Sequence, residues 1–196
     1  MRPRFVLPGR WGRIGLESPG ARRRSAKRLV ESALGRADEL ASARGELRGR
    51  IETVAELAAT SGAADLYFAL EIADGVPFPA WLTVYRLDAA TLDLPALGLE
   101  RLTRFLSDSL DGGYEPMTPA ETFGVVRHAW RRPAGGPADD IGEMVEVDYW
   151  VAAAEPARIA RLTFASPMIG YQDELIDLFD AIIGTLEWPV EAAHYN

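Results

Sequence analysis

The sequence predicts an α+β domain, a mainly antiparallel sheet with helices on both faces (an α/β/α sandwich) preceded by an N-terminal helical pair. Three observations lead there. Apolar residues recur with a period of 3.6 in four separate segments, the signature of helices packed on a core. The strand-like runs between them are almost continuously apolar, as in a sheet covered on both faces. The later runs are joined by short Gly/Pro-containing connections, which favour antiparallel neighbours. A chain of 196 residues with 48% hydrophobic content can bury a sizeable core.

Taken in order, Phe5-Val6-Leu7 and Ile14-Gly15-Leu16 read as two short extended pieces around the Pro8-Gly9 turn, with Trp11 between them. Ser18-Pro19 signals a helix start, because serine caps free amides and proline is tolerated in the first turn. Ala26, Leu29, Val30, Ala33, Leu34 and Ala37 then form one helical stripe, which Gly35 can end. A second helix, capped by Asp38, carries Leu40, Ala43, Leu47, Ile51, Val54, Leu57 and Ala58 and closes at Ser61-Gly62. Gly45 and Gly49 inside it each cost about 1 kcal/mol relative to alanine, so packing must support it.

Residues 66–72 and 81–86 read as two strands around a Pro/Gly loop, and 94–110 as a third helix with Leu99, Leu102, Phe105 and Leu106 on one face, stopped by Asp111-Gly112-Gly113. Three further strands, at 122–131, 144–152 and 158–165, form a meander. A last helix buries Leu175, Leu178, Phe179, Ile182, Ile183 and Leu186, with Glu174, Asp177 and Asp180 opposite. There is no repeat and no dividing linker, so 1–196 reads as a single domain. Residues 1–62 hold the first strands and the helical pair, 63–188 the sheet with its helices, and 189–196 a frayed tail.

The net charge of −8 conceals an asymmetry: residues 1–50 carry +8 and residues 51–196 carry −16. Such a split suits a basic arm for an anionic partner, or attraction between the two parts within a fold or between subunits. Only Lys27 is a lysine among 21 basic residues, which together with the many alanines suggests a GC-rich source. The basic start lacks a signal-peptide apolar core, and no window approaches the roughly 18 apolar residues of a membrane helix. The expected location is the cytoplasm.

Cysteine is absent, which removes disulfides, thiol nucleophiles, thiolate zinc sites and iron–sulfur clusters. No phosphate-binding loop, dinucleotide fingerprint, nucleophile elbow or H-E-x-x-H pair occurs, and two histidines cannot make a three-histidine metal site. The reading therefore assigns no catalytic residue, no metal and no cofactor. His194 falls in the tail, leaving His128, which alternates with Val126 and Trp130 and could serve as a base in a sheltered cleft or be a hydrogen-bonded histidine of the sheet surface. Ser166, at a strand end, is the one serine placed like a nucleophile, but no spacing ties it to His128.

Glu146 and Asp148 stand about 7 Å apart on one strand, a separation compatible with paired-carboxylate chemistry or a divalent ion. Val145, Val147, Tyr149 and Val151 take the other face, so the two acids also fit an ordinary half-solvated strand, with Arg161 beside Asp148 in a cross-strand salt bridge and Thr163 beside Glu146. The loop acids Asp139, Asp140 and Glu143 lack a calcium-loop pattern.

Arg22, Arg23, Arg24, Lys27 and Arg28 project a dense cationic helix face. It suits internal pairing or an acidic protein partner; nucleic acid is disfavoured because no aromatic residues interleave and the rest of the chain repels phosphate. Of the five tryptophans, Trp130 and Trp150 lie on adjacent strands, where they are either core or a contact patch at the sheet edge.

The order strand, helices, strand pair, helix, meander and terminal helix, with Ile159-Ala160-Arg161-Leu162-Thr163-Phe164-Ala165-Ser166-Pro167 leading into Leu178-Phe179-Asp180-Ala181-Ile182-Ile183, resembles the Mog1/PsbP-like fold. The likeness covers mainly residues 65–188, and the long helical pair departs from that compact pattern. It implies a small sandwich used as a non-catalytic adaptor or accessory subunit. The opening Phe5-Val6-Leu7-Pro8-Gly9-Arg10-Trp11 also resembles that of uncharacterised actinobacterial proteins, which implies no function. The expectation is a non-enzymatic interaction protein whose partner is another protein or a second copy, engaged through the basic helix or through Trp130 and Trp150. The alternative is a small-ligand binder or hydrolase with a cleft around His128, Glu146 and Asp148.

Overall fold

A computed structural model describes residues 3–88, 99–109, 113–120, 123–133, 142–153 and 158–187. The described residues form four α-helices and an eight-stranded antiparallel sheet, an α+β architecture. Trp188, His194, Asp139, Asp140, the Asp111-Gly112 stop, residues 94–98 of the third predicted helix and the link at 154–156 lie outside them.

The first strand differs from its sequence reading. Instead of two extended pieces flanking Trp11, one strand β1 (Arg10–Ile14) contains it. Gly9 turns the chain into this strand at φ 74°, and a Cβ there would lie 2.2 Å from the Glu71 carbonyl oxygen, so the close approach to the neighbouring strand requires glycine. Farther upstream, Arg4 exchanges two 2.8 Å backbone hydrogen bonds with Glu187.

Helix α1 (Pro19–Leu34) starts as the sequence suggests: the Ser18 hydroxyl accepts from the Ala21 amide at 3.2 Å, and Pro19 takes the first turn. Gly35 ends it at φ 68°, its amide bonded to the Glu31 carbonyl. Asp38 does not cap the second helix; it begins a single 3₁₀ turn, Asp38–Leu40, from which α2 (Ala41–Thr60) continues.

The sheet is completed by β2 (Asp65–Ala73), the short β3 (Val76–Pro77), β4 (Trp81–Asp88), β5 (Glu115–Ala120), β6 (Phe123–Arg132), β7 (Met144–Ala153) and β8 (Arg158–Ser166), with α3 (Leu99–Ser109) before β5 and α4 (Gln172–Gly184) at the end. Strand β5 escapes sequence reading because Pro116 and Pro119 argue against a strand; it forms at the sheet edge, where proline is tolerated. The meander thus has four strands, and the spatial order β1-β2-β4-β8-β7-β6-β5 returns β8 beside β4.

Period-two alternation sends side chains to two cores. On one face Leu82, Val147, Tyr149, Leu162 and Phe164 pack under α4 through Leu175, Phe179, Ile182 and Ile183, with Phe164 and Phe179 stacked at 4.5 Å. Asp180 is not a bystander of that helix. It accepts from the Tyr149 hydroxyl at 2.6 Å and pairs with Arg127, which also holds Glu115. On the other face, α1 and α2 cover Ile14, Leu66 and Phe68, while Leu102 and Leu106 of α3 cover Val126, Trp150, Ala152 and Ile159. Between those two helical covers the sheet carries a polar strip.

Candidate functional site

The strip follows from register. Thr83, Thr163, Asp148 and His128 are directly opposite one another across β4, β8, β7 and β6, and the next row is Tyr85, Arg161, Trp150 and Val126. One row the other way, Ala165, Glu146 and Trp130 align. The residues that period two placed together in the sequence, His128, Glu146 and Asp148, therefore do share a face.

Their environment is not the half-solvated strand expected for the acids. The Asp148 side chain is 5% exposed, accepts from the Thr163 hydroxyl and pairs with Arg161 at 2.8 Å. Glu146 is mostly buried, faces Ala165 rather than Thr163 across the strands, and pairs with Arg132 at 2.6 Å. Burial raises the Glu146 carboxyl above its ordinary value, and Arg132 opposes the shift. Arg161 also lies 5.4 Å from the Tyr85 ring centre and 5.6 Å from that of Trp150, so each cation of the strip is compensated.

His128 sits between two rings, Tyr114 and Trp130, each with its centre 4.6 Å away. Burial lowers its pKa; Asp148 opposes that shift and Arg161 reinforces it. Ser166 projects to the opposite face, where its hydroxyl donates to the Pro79 carbonyl and accepts from the Met168 amide. The fold thus separates this serine from His128 by the thickness of the sheet. Among the described residues, no group of three or more acidic or histidine side chains is placed to hold a metal ion.

The basic helix divides into two kinds of residue. Arg22 is buried, donates to the Leu16 carbonyl at 3.2 Å and pairs with Glu56 of α2, so it joins the helical pair together. Lys27 is exposed and lies 3.8 Å from Glu31. Arg23, Arg24 and Arg28 are exposed and have no ion-pair or hydrogen-bond partner among the described residues. Arg24 and Arg28, one turn apart, line a polar hollow of about 260 Å³ with Arg13, Ser25 and Glu17. Arg13 is already held by Asp65 at 2.6 Å, whose hydrogen bond raises the guanidinium pKa.

No family model, curated protein or solved structure matches the chain.

Of the two tryptophans singled out, Trp150 is 8% exposed beneath α3 and has no free face, whereas Trp130 is half-buried on His128. The structure adds residues that sequence reasoning missed. Arg132 was legible, being two and four residues beyond Trp130 and His128 on the same face; Tyr114, Tyr85 and Arg13 carried no signal, since register and helix placement bring them in. Also unforeseen is a second, apolar cavity of about 410 Å³ between the helical pair and the β2–β4 side of the sheet.

Proposed function

We propose that the chain is a non-enzymatic interaction protein that binds an acidic segment of a partner protein through Arg23, Arg24 and Arg28. The observation that carries this reading is the contrast between charges: those of the strip around His128 are paired within the protein, whereas these three cations face solvent without partners among the described residues. Leaving cations unpaired on a helix costs little in water and favours encounter with negative surfaces. The +8 charge of residues 1–50 extends that attraction beyond the three side chains. The Mog1/PsbP-like resemblance, whose members serve as adaptors, supports the same reading.

The test measures fluorescence anisotropy of a labelled polyglutamate peptide with the full chain and with the Arg23→Ser, Arg24→Ser, Arg28→Ser variant, at low and high salt. Binding that is lost in the variant and weakened by salt is expected, with an unchanged melting curve because none of the three supports the fold. Light scattering on the same samples distinguishes a second copy, which would appear as a salt-sensitive dimer absent in the variant. Equal peptide affinity for both proteins, or no binding with a monomer throughout, would defeat the proposal.

A further inference from the structure

We infer that the apolar cavity between the helical pair and the sheet is a binding site for a small amphiphile with an apolar body and a carboxylate head. Its volume, about 410 Å³, falls within the size range of small-molecule sites. Val30, Leu47, Ile51, Phe68 and Trp81 supply an almost wholly apolar wall, and Arg50 stands at its margin.

The cavity lies where the core under the helical pair thins out towards its tip. Helix α1 buries residues only as far as Val30, and α2 only from Ile51 onward. Between them, the stripe of Ala33, Leu34, Leu40, Ala43 and Leu47 continues with the helical period, yet Ala33, Leu40 and Ala43 are exposed and Leu34 and Leu47 are only half-buried against the end of the core. A stripe that keeps its apolar pattern where the protein covers it only in part is explained by an apolar occupant, and the cavity lies under part of it, at Ala33, Leu34 and Leu47.

Charge selects the head group. Arg10, the other cation of the lining, is held by Glu71 at 2.7 Å. Arg50 is exposed and has no partner among the described residues. A single free guanidinium beside an apolar chamber matches a carboxylate, which it can engage through two parallel hydrogen bonds. The apolar body then removes the chamber surface from water.

Calorimetric titration of the full chain with dodecanoate tests this, alongside dodecanol and the variants Ala33→Trp and Arg50→Gln. Ala33 and Arg50 are both exposed, so both variants should melt like the parent. Saturable one-to-one dodecanoate binding is expected, weakened by Ala33→Trp, which places a bulky ring against the chamber lining. Arg50→Gln should weaken dodecanoate about tenfold and leave dodecanol unchanged. Ligand should also alter tryptophan emission, and Trp81→Phe should remove that change. Absence of saturation, or binding indifferent to Ala33→Trp, would overturn the site; equal loss for both ligands in Arg50→Gln would overturn the head-group assignment. Binding to phosphatidylglycerol vesicles that depends on Ala33, without binding of free dodecanoate, would overturn the soluble amphiphile as occupant.

Discussion

Replacing Asp148 by alanine tests the account of the polar strip most directly. The carboxylate is 5% exposed; it accepts from the Thr163 hydroxyl and is the ion-pair partner of the Arg161 guanidinium. Its removal leaves the half-buried Thr163 hydroxyl without its acceptor, which costs at most about 1 to 3 kcal/mol. It also leaves Arg161 without its counter-ion. Breaking a fully buried pair costs about 3 to 5 kcal/mol, but Arg161 is 34% exposed and keeps the Tyr85 and Trp150 ring faces, so that share must be much smaller. Together the expected loss is about 2 to 4 kcal/mol. Urea unfolding of Asp148→Ala, Arg161→Met and the double variant measures it, with the slope checked so that midpoint shifts report stability. The double variant should recover roughly 1 to 3 kcal/mol of the summed single losses, because neither charge is then left alone. A loss below about 1 kcal/mol for Asp148→Ala with an unchanged slope would refute the compensated strip, and so would strict additivity.

Gly45→Ala and Gly49→Ala should each stabilise the protein by about 0.5 to 1 kcal/mol, since both glycines lie inside α2 with open space where a Cβ would go. Gly9→Ala should destabilise it by more than about 1 kcal/mol, because its positive φ and the adjacent Glu71 carbonyl leave no room; urea midpoints distinguish the two outcomes. His128 supplies a pH dependence. Its folded pKa lies below the ordinary 6.5, so the unfolded chain takes up a proton first, and the contribution present above that value is lost as pH falls through it. The stability difference between the parent and His128→Gln should therefore shift against the parent from about pH 8 to about pH 5, and a pH-independent difference would contradict the burial of the ring.

Much of the fold was legible because periodicity and capping act locally. Ser18 and Gly35 delimit α1 through hydrogen bonds and a backbone angle that need only their neighbours, and the alternation in β7 sorts Val147 and Tyr149 from Glu146 and Asp148 whatever lies around them. The same local reasoning failed where an element owes its existence to a partner. Strand β5, with two prolines, is held by β6, and β1 takes its bounds from pairing with β2. Asp38 offered a helix cap by type, but the turn at Asp38–Leu40 decided otherwise.

For the sites, composition alone determined which chemistries were unavailable to a chain without cysteine, and the sequence placed His128, Glu146 and Asp148 on strand faces and the arginines on one helix. Only the tertiary structure decided what each charge faces. Arg22 and Arg23 are sequence neighbours of identical type, yet Arg22 meets Glu56 from another helix and Arg23 meets solvent. Ser166 and His128 both lie on the sheet but on opposite faces. The cavity beneath the helical pair likewise depends on where the buried residues of α1 and α2 stop, at Val30 and Ile51. Periodicity is a property of the chain and can be read from it, whereas burial and ion pairing are relations between segments distant in sequence and arise only when packing brings them together.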